Sequence, residues 1–175
     1  LAAVLGEPET AVLTDLAPAI QDELLQPAHG APGERLFRFA HDRIQQSAYA
    51  LPGSVSRAAV HLQIGRQLLA RLAGDDLEQH VFTIVDQLNH GLELVVGLDQ
   101  RLQFAALNLR AGDRAKSAMA YQAARNYYSQ GLGLLPTSIW ERDHDLAYAL
   151  HLNAAEADSM CNEEASYQDR IGRLL

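Results

Sequence analysis

The His41-Asp42 doublet is the polar pair in this chain whose types and spacing could do chemistry. It falls where the strand-like Leu36-Phe-Arg-Phe-Ala40 gives way to a helical pattern from about Asp42 to Leu51. An imidazole there could meet an anion beside the free N–H groups of a helix start. The plainer reading has Asp42 capping the helix and His41 packing beside Phe37 and Phe39. Both readings stay open at this point. A His-Asp doublet also occurs in the all-helical, metal-dependent phosphohydrolases of the HD superfamily. That chemistry needs a further upstream histidine on a facing helix, whereas His29 sits in a Pro/Gly loop. Other chemical motifs are missing from the sequence: it has no G-x-x-x-x-G-K, H-E-x-x-H, C-x-x-C or G-x-S-x-G. His80 and His90 lie ten residues apart, a poor fit to one helix face, and no metal is expected there. Cys161, the single cysteine, reads as a small apolar residue rather than a nucleophile. No catalytic residue is expected.

The elements that must position His41 and Asp42 follow from periodicity. Val12, Leu16, Ala19, Ile20 and Leu24 recur at three and four, which predicts a helix over Glu9–Leu25, kinked or restarted at Pro18. Two apolar arms, Leu24–Ala28 and Leu36–Ala40, flank the turn-rich stretch His29–Arg35 and read as a β-hairpin. Helix, hairpin and helix together resemble a winged-helix module over residues 1–52. Five prolines lie at or before Pro52 and the next is Pro136, so long helices can run between them. Residues 53–175 are expected to be stacked antiparallel helix pairs, cut short at the C-terminus. Ser54 is the expected cap of a helix carrying Val55, Ala58, Ala59, Leu62, Leu69 and Leu72. Asp75 or Asp76 opens a second, with Leu77, Val81, Ile84, Val85 and Leu88 as its stripe. Asp99 opens a third through Leu102, Ala106 and Leu109 to the Ala111-Gly112 region. A fourth spans about Ala118–Leu135, a fifth carries Leu146, Leu150, Asn153, Ala157 and Met160, and Glu163–Leu175 begins a sixth.

Gly112, Ala124, Tyr128, Gly131 and Pro136 fit the register of one tetratricopeptide repeat. Small residues there permit close helix contact, Tyr128 fills the groove and Pro136 ends the second helix. Asn108 and Ala111 stand where that repeat has its large first-helix residues. The expected fold class is therefore mostly α, with a small hairpin and a TPR-like helical array.

Composition sets the outer bounds. Ala and Leu each outnumber Val, Ile and Thr taken together, which favours helix over sheet. A net charge of −8 gives no electrostatic basis for gripping nucleic acid. Within Gln21–Leu36, Asp22, Glu23 and Glu34 face Arg35 alone, so DNA binding through the winged helix is a disfavoured alternative. No apolar run approaches a membrane span and no signal peptide is visible. With one cysteine, a cytoplasmic location is expected. The chain starts at Leu1 and reads as a piece of something longer.

The string Phe37-Arg-Phe-Ala-His-Asp-Arg-Ile-Gln-Gln-Ser-Ala-Tyr49 resembles a segment of large bacterial signalling proteins. In that family a kinase-like domain and a STAND-type AAA ATPase precede helical repeats, then GAF and histidine-kinase modules. Leu77–Gly91, Ala106–Lys116 running into Ala120-Tyr121, and the opening Leu1–Pro8 resemble the same family. The resemblance implies a non-catalytic regulatory and protein-interaction segment downstream of the nucleotide-binding core. His41-Asp42 then resembles the Met-His-Asp motif whose histidine contacts the β-phosphate of ADP, with Ala40 in the methionine's place. No cofactor is implied in this segment, since ATP or ADP would sit in the upstream domain. The implied partners are that domain, other domains of the same chain, and a protein or peptide on the repeats. The corresponding segment of a STAND transcription regulator or adenylyl cyclase is the alternative of the same class.

Overall fold

A computed structural model describes residues 6–28, 35–50 and 57–174. The opening Leu1–Leu5, most of the hairpin loop including His29, the expected boundary at Pro52 and the Ser54 cap lie outside the described residues. The chain falls into two compact units, Leu1–Ser56 and Arg57–Leu175.

The first unit holds α1 (Glu9–Gln21), β1 (Leu25–Ala28), β2 (Leu36–Phe39) and α2 (Asp42–Ala50). α1 continues through Pro18, which lacks the N–H that would bond back to Thr14, and ends four residues short of the expected Leu25. Glu23 closes it in the left-handed region (φ 57°), with Leu24 N–H reaching back to Ala19 O at 2.9 Å. β1 and β2 pair antiparallel in the register Leu25–Phe39, Gln26–Arg38, Pro27–Phe37 and Ala28–Leu36. In a two-stranded ribbon Pro27 has an open edge available, so its missing N–H is tolerated. Val12 alone is buried among this unit's described residues. Leu24, Leu36, Phe39 and Tyr49 stay exposed.

The second unit holds α3 (Arg57–Arg71), α4 (Gly74–Asn89), α5 (Leu98–Ser117), α6 (Tyr121–Leu134), α7 (Ile139–Arg142), α8 (His144–Met160) and α9 (Glu164–Gly172). A 3₁₀ turn at Leu92–Leu94 links α4 to α5. Consecutive helices pair as α3 with α4, α5 with α6 and α8 with α9, and each pair packs on the next. Fold class is as expected: mostly helical, with a small antiparallel hairpin followed by stacked helices.

The core is a continuous cluster from Leu62 through Val81, Ile84, Val85 and Leu88 to Phe104, Tyr128 and Leu150. Alanines 105, 111, 115, 124, 154 and 157 belong to this cluster and let the helices approach closely. On α4 the buried stripe is Val81, Ile84, Val85 and Leu88, with Leu77 partly buried. On α5, which runs through Leu102, Ala106 and Leu109 as expected, these three are half-buried, with Leu109 against the core. Phe104, Ala105, Leu107, Asn108, Ala111, Gly112 and Ala115 are buried, because α4, α6 and α8 all contact this helix. α5 also runs on to Ser117, since Gly112 serves close packing rather than a stop. α6 begins at Tyr121 rather than Ala118, and Met160 ends α8 exposed. α7 was not foreseen. No described helix is long and apolar enough to cross a membrane.

α5–α6 and α8–α9 turn in the same way. Met119 (φ 59°) and Asn162 (φ 58°), 43 residues apart, take the left-handed position. Ala120 N–H then bonds Ala115 O, and Glu163 N–H bonds Asp158 O, both at 2.9 Å. Buried positions recur at that spacing: Phe104 with Ala147, Leu107 with Leu150, Asn108 with His151, and Ala111 with Ala154.

Candidate functional site

His41 and Asp42 sit at the junction of β2 and α2. The His41 carbonyl accepts from Ile44 N–H at 3.0 Å and Gln45 N–H at 3.2 Å. His41 is thus the residue half inside the helix, and Asp42 is the first residue within it. A carboxylate in that first turn complements the helix dipole. Both side chains are exposed. The pair faces solvent beside a helix start, a geometry open to an anion. Phosphate ligands beyond His41 and the first N–H groups of α2 would have to come from elsewhere.

The five residues of the repeat register lie together in the second unit. A Cβ on Gly112 would overlap the ring of Tyr128, so that glycine lets α5 and α6 touch. A Cβ on Gly131 would stand 2.9 Å from Leu150 Cδ2 and 3.3 Å from the Ala105 carbonyl oxygen. Ala124 and Tyr128 are fully buried. Pro136 follows α6, and its carbonyl accepts from Ile139 N–H as α7 begins.

Around Tyr128 a polar network joins three helices. Its hydroxyl donates to Asp113 Oδ1 at 2.8 Å, and Asn153 Nδ2 donates to the same oxygen at 3.1 Å. Lys116, the sole lysine, donates to Asn153 Oδ1 at 2.7 Å and to Glu156 at 2.9 Å. Burial raises the Tyr128 hydroxyl above the usual tyrosine range, and Asp113 adds to that. The phenol therefore stays protonated and serves as a fixed donor. Asn89 and Asn108 pair reciprocally between α4 and α5, at 2.9 and 3.0 Å. Asn108, which the repeat register leaves unmatched, is thus a buried and satisfied joint.

A buried charge ties α6, α8 and α9. Asp158 is fully buried and accepts from Arg125 Nε at 2.6 Å and from Arg170 Nε at 2.5 Å. The hydrogen bond to Asp158 raises the Arg125 pKa above its ordinary value. Arg170 also reaches Ser129 Oγ at 3.1 Å. Two arginines on one carboxylate keep that charge compensated away from water.

Beside this clamp a cleft of about 450 Å³ opens where the end of α6 meets α7, α8 and α9. Leu132, Leu135, Pro136 and Ile139 form the apolar part of its lining. Gly133, Thr137, Trp140, His151, Asp169, Arg170 and Arg173 complete it. Trp140 stacks on His151 at 5.5 Å between ring centroids and 17° between planes. His144 meets Trp140 edge-on, and Tyr148 stacks on His144. His151 is buried, and its Nδ1 has no hydrogen-bond partner among the described residues. Burial lowers its pKa, and the positive charges of Arg173 and Arg170 lower it further against a smaller opposing effect of Asp169. The ring is therefore neutral at neutral pH.

No site was expected from sequence at the cleft, the Asp158 clamp or the Tyr128 network, although Tyr128 and Pro136 were named for the repeat register and Asn153 for its helix. One signal was present: Asp158 and His151 continue the buried phase of Ala147, Leu150 and Ala154 along α8. Among the described residues, no group of three His, Cys, Asp or Glu side chains could hold a metal ion.

No protein-family model and no solved structure matches the chain. A curated protein that does match is "Hybrid signal transduction histidine kinase G" of Dictyostelium discoideum, 26% identical over 148 residues. The match covers 71% of this chain and 4% of that kinase, so the chain is distantly similar to one small segment of a signal-transduction protein.

Proposed function

We propose that this chain is a non-catalytic regulatory and protein-interaction segment of a signal-transduction ATPase or sensor kinase. The observation that carries the reading is the similarity to a signal-transduction histidine kinase across most of the chain. The helical stack supports it, because polar groups act as joints between its helices: buried Asp158 and Asn108 and half-buried Asp113 are each held by side chains from neighbouring helices. In this reading the first unit is a winged-helix-like module and the second a TPR-like array. The array passes the nucleotide state of an upstream core to a downstream output, or binds the partner that changes that state.

The exposure of His41 and Asp42 favours one specific coupling. The imidazole would donate to the phosphate of ADP held by the upstream core, while Asp42 stabilises the start of α2. Release of ADP would free the module. ADP affinity of the full-length protein, compared with its His41→Ala variant, tests this. Weakening of about 1–3 kcal/mol is the expected loss of a hydrogen bond to a charged group. Unchanged affinity removes His41 from the coupling.

A further inference from the structure

We infer that the cleft bounded by Trp140, His151, Arg170 and Arg173 binds a small carboxylate carried on a planar apolar body. This goes beyond the regulatory reading and does not depend on it. The volume, about 450 Å³, lies within the range of small-ligand clefts, roughly 300–1,000 Å³. Leu132, Leu135 and Ile139 make part of the lining apolar, and Trp140, stacked on His151, adds an indole against which a ring can pack. The polar part of the lining carries Arg170 and Arg173 against Asp169, with His151 neutral, so the lining residues together bear one net positive charge within a chain of net charge −8.

Arg170 is held in place before any ligand arrives. Asp158 takes its Nε and Ser129 takes one terminal nitrogen, and these bonds use two of its five N–H donors. A planar fork fixed in this way suits a carboxylate better than a mobile ammonium would. Arg173, just past the end of α9, is exposed, and among the described residues its ion pair is with Asp169 four residues back, at 3.1 Å. It can turn to a ligand at small cost, because an exposed ion pair of this kind is weak. A bare inorganic anion would leave the apolar residues and the indole uncovered, and a neutral ring would leave the remaining N–H donors of Arg170 and Arg173 without an acceptor. The two parts of the lining together call for an acid on a ring.

Calorimetric titration of the full chain with indole-3-acetate, indole-3-acetamide and acetate tests the inference. The expected result is one site for indole-3-acetate, at least ten-fold weaker binding of the amide, and no measurable binding of acetate. Gly133→Phe puts bulk into the cleft at a position where a Cβ meets nothing within 4 Å. It should abolish binding, and Arg173→Gln should weaken it at least five-fold, with both variants melting like wild type. Equal binding of acid and amide, binding of acetate as tight as that of the ring acid, no binding of indole-3-acetate at millimolar concentration, or binding indifferent to both substitutions would each overturn it.

Discussion

Gly112 and His151 show how much of this fold rests on single side chains. With the Tyr128 ring against Gly112 and its hydroxyl fixed on Asp113, the ring has no room to retreat from an added methyl group. Gly112→Ala should therefore destabilise the second unit by about 1–3 kcal/mol, the usual cost of overpacking. Urea unfolding followed by circular dichroism measures it. His151 carries a pH signature. Its pKa in the fold lies below the ordinary 6.5, so below that pH the unfolded chain binds more protons than the native one. Stability should fall as pH drops through 6.5 and keep falling until the folded-state pKa is reached. The loss should be smaller in His151→Phe, and the sole tryptophan, stacked on this ring, reports it by fluorescence.

At the scale of elements, the tight turns and the clamp between helices make separate predictions. Met119 is an exposed non-glycine residue in the left-handed region at the end of α5. That position costs an L side chain roughly 1–2 kcal/mol, partly offset by the greater freedom of glycine when unfolded. Met119→Gly should raise stability by about 0.5–1 kcal/mol. Asn162, at the equivalent turn, tolerates the conformation better, and Asn162→Gly should gain less. Asp158→Asn should act in the other direction, costing about 3 kcal/mol or more, because it leaves Arg125 and Arg170 without their buried counter-charge. Chemical unfolding of the three variants against wild type gives all these differences. The same elements explain what the sequence made legible. The α4 stripe was readable because one apolar face meets its neighbours. The buried face of α5 was not legible, because three helices contact it and Asn108 carries a polar type that signals surface. Gly112 was legible as a close-contact residue through the repeat register, and it does meet a ring sixteen residues on, but the helix expected to end near it runs on to Ser117. Arg125 and Arg170 gave no sign of their shared carboxylate, since only tertiary packing brings α6 and α9 to Asp158.

On the scale of the whole molecule, the two units differ in how they are built. The second has a continuous core, with buried polar joints at successive helix pairs. The first buries Val12 and leaves Leu24, Leu36, Phe39 and Tyr49 exposed among its described residues. Under the proposed regulatory role such a stack would carry a signal between modules, and the chain's distant similarity to a segment of a signal-transduction histidine kinase is what supports that role. The most direct test removes residues 57–174 from the full-length protein and measures catalytic output with and without nucleotide. The account predicts that catalytic output persists while its dependence on nucleotide state is lost. Output abolished along with the segment, or a nucleotide response unchanged without it, would contradict a regulatory, non-catalytic role.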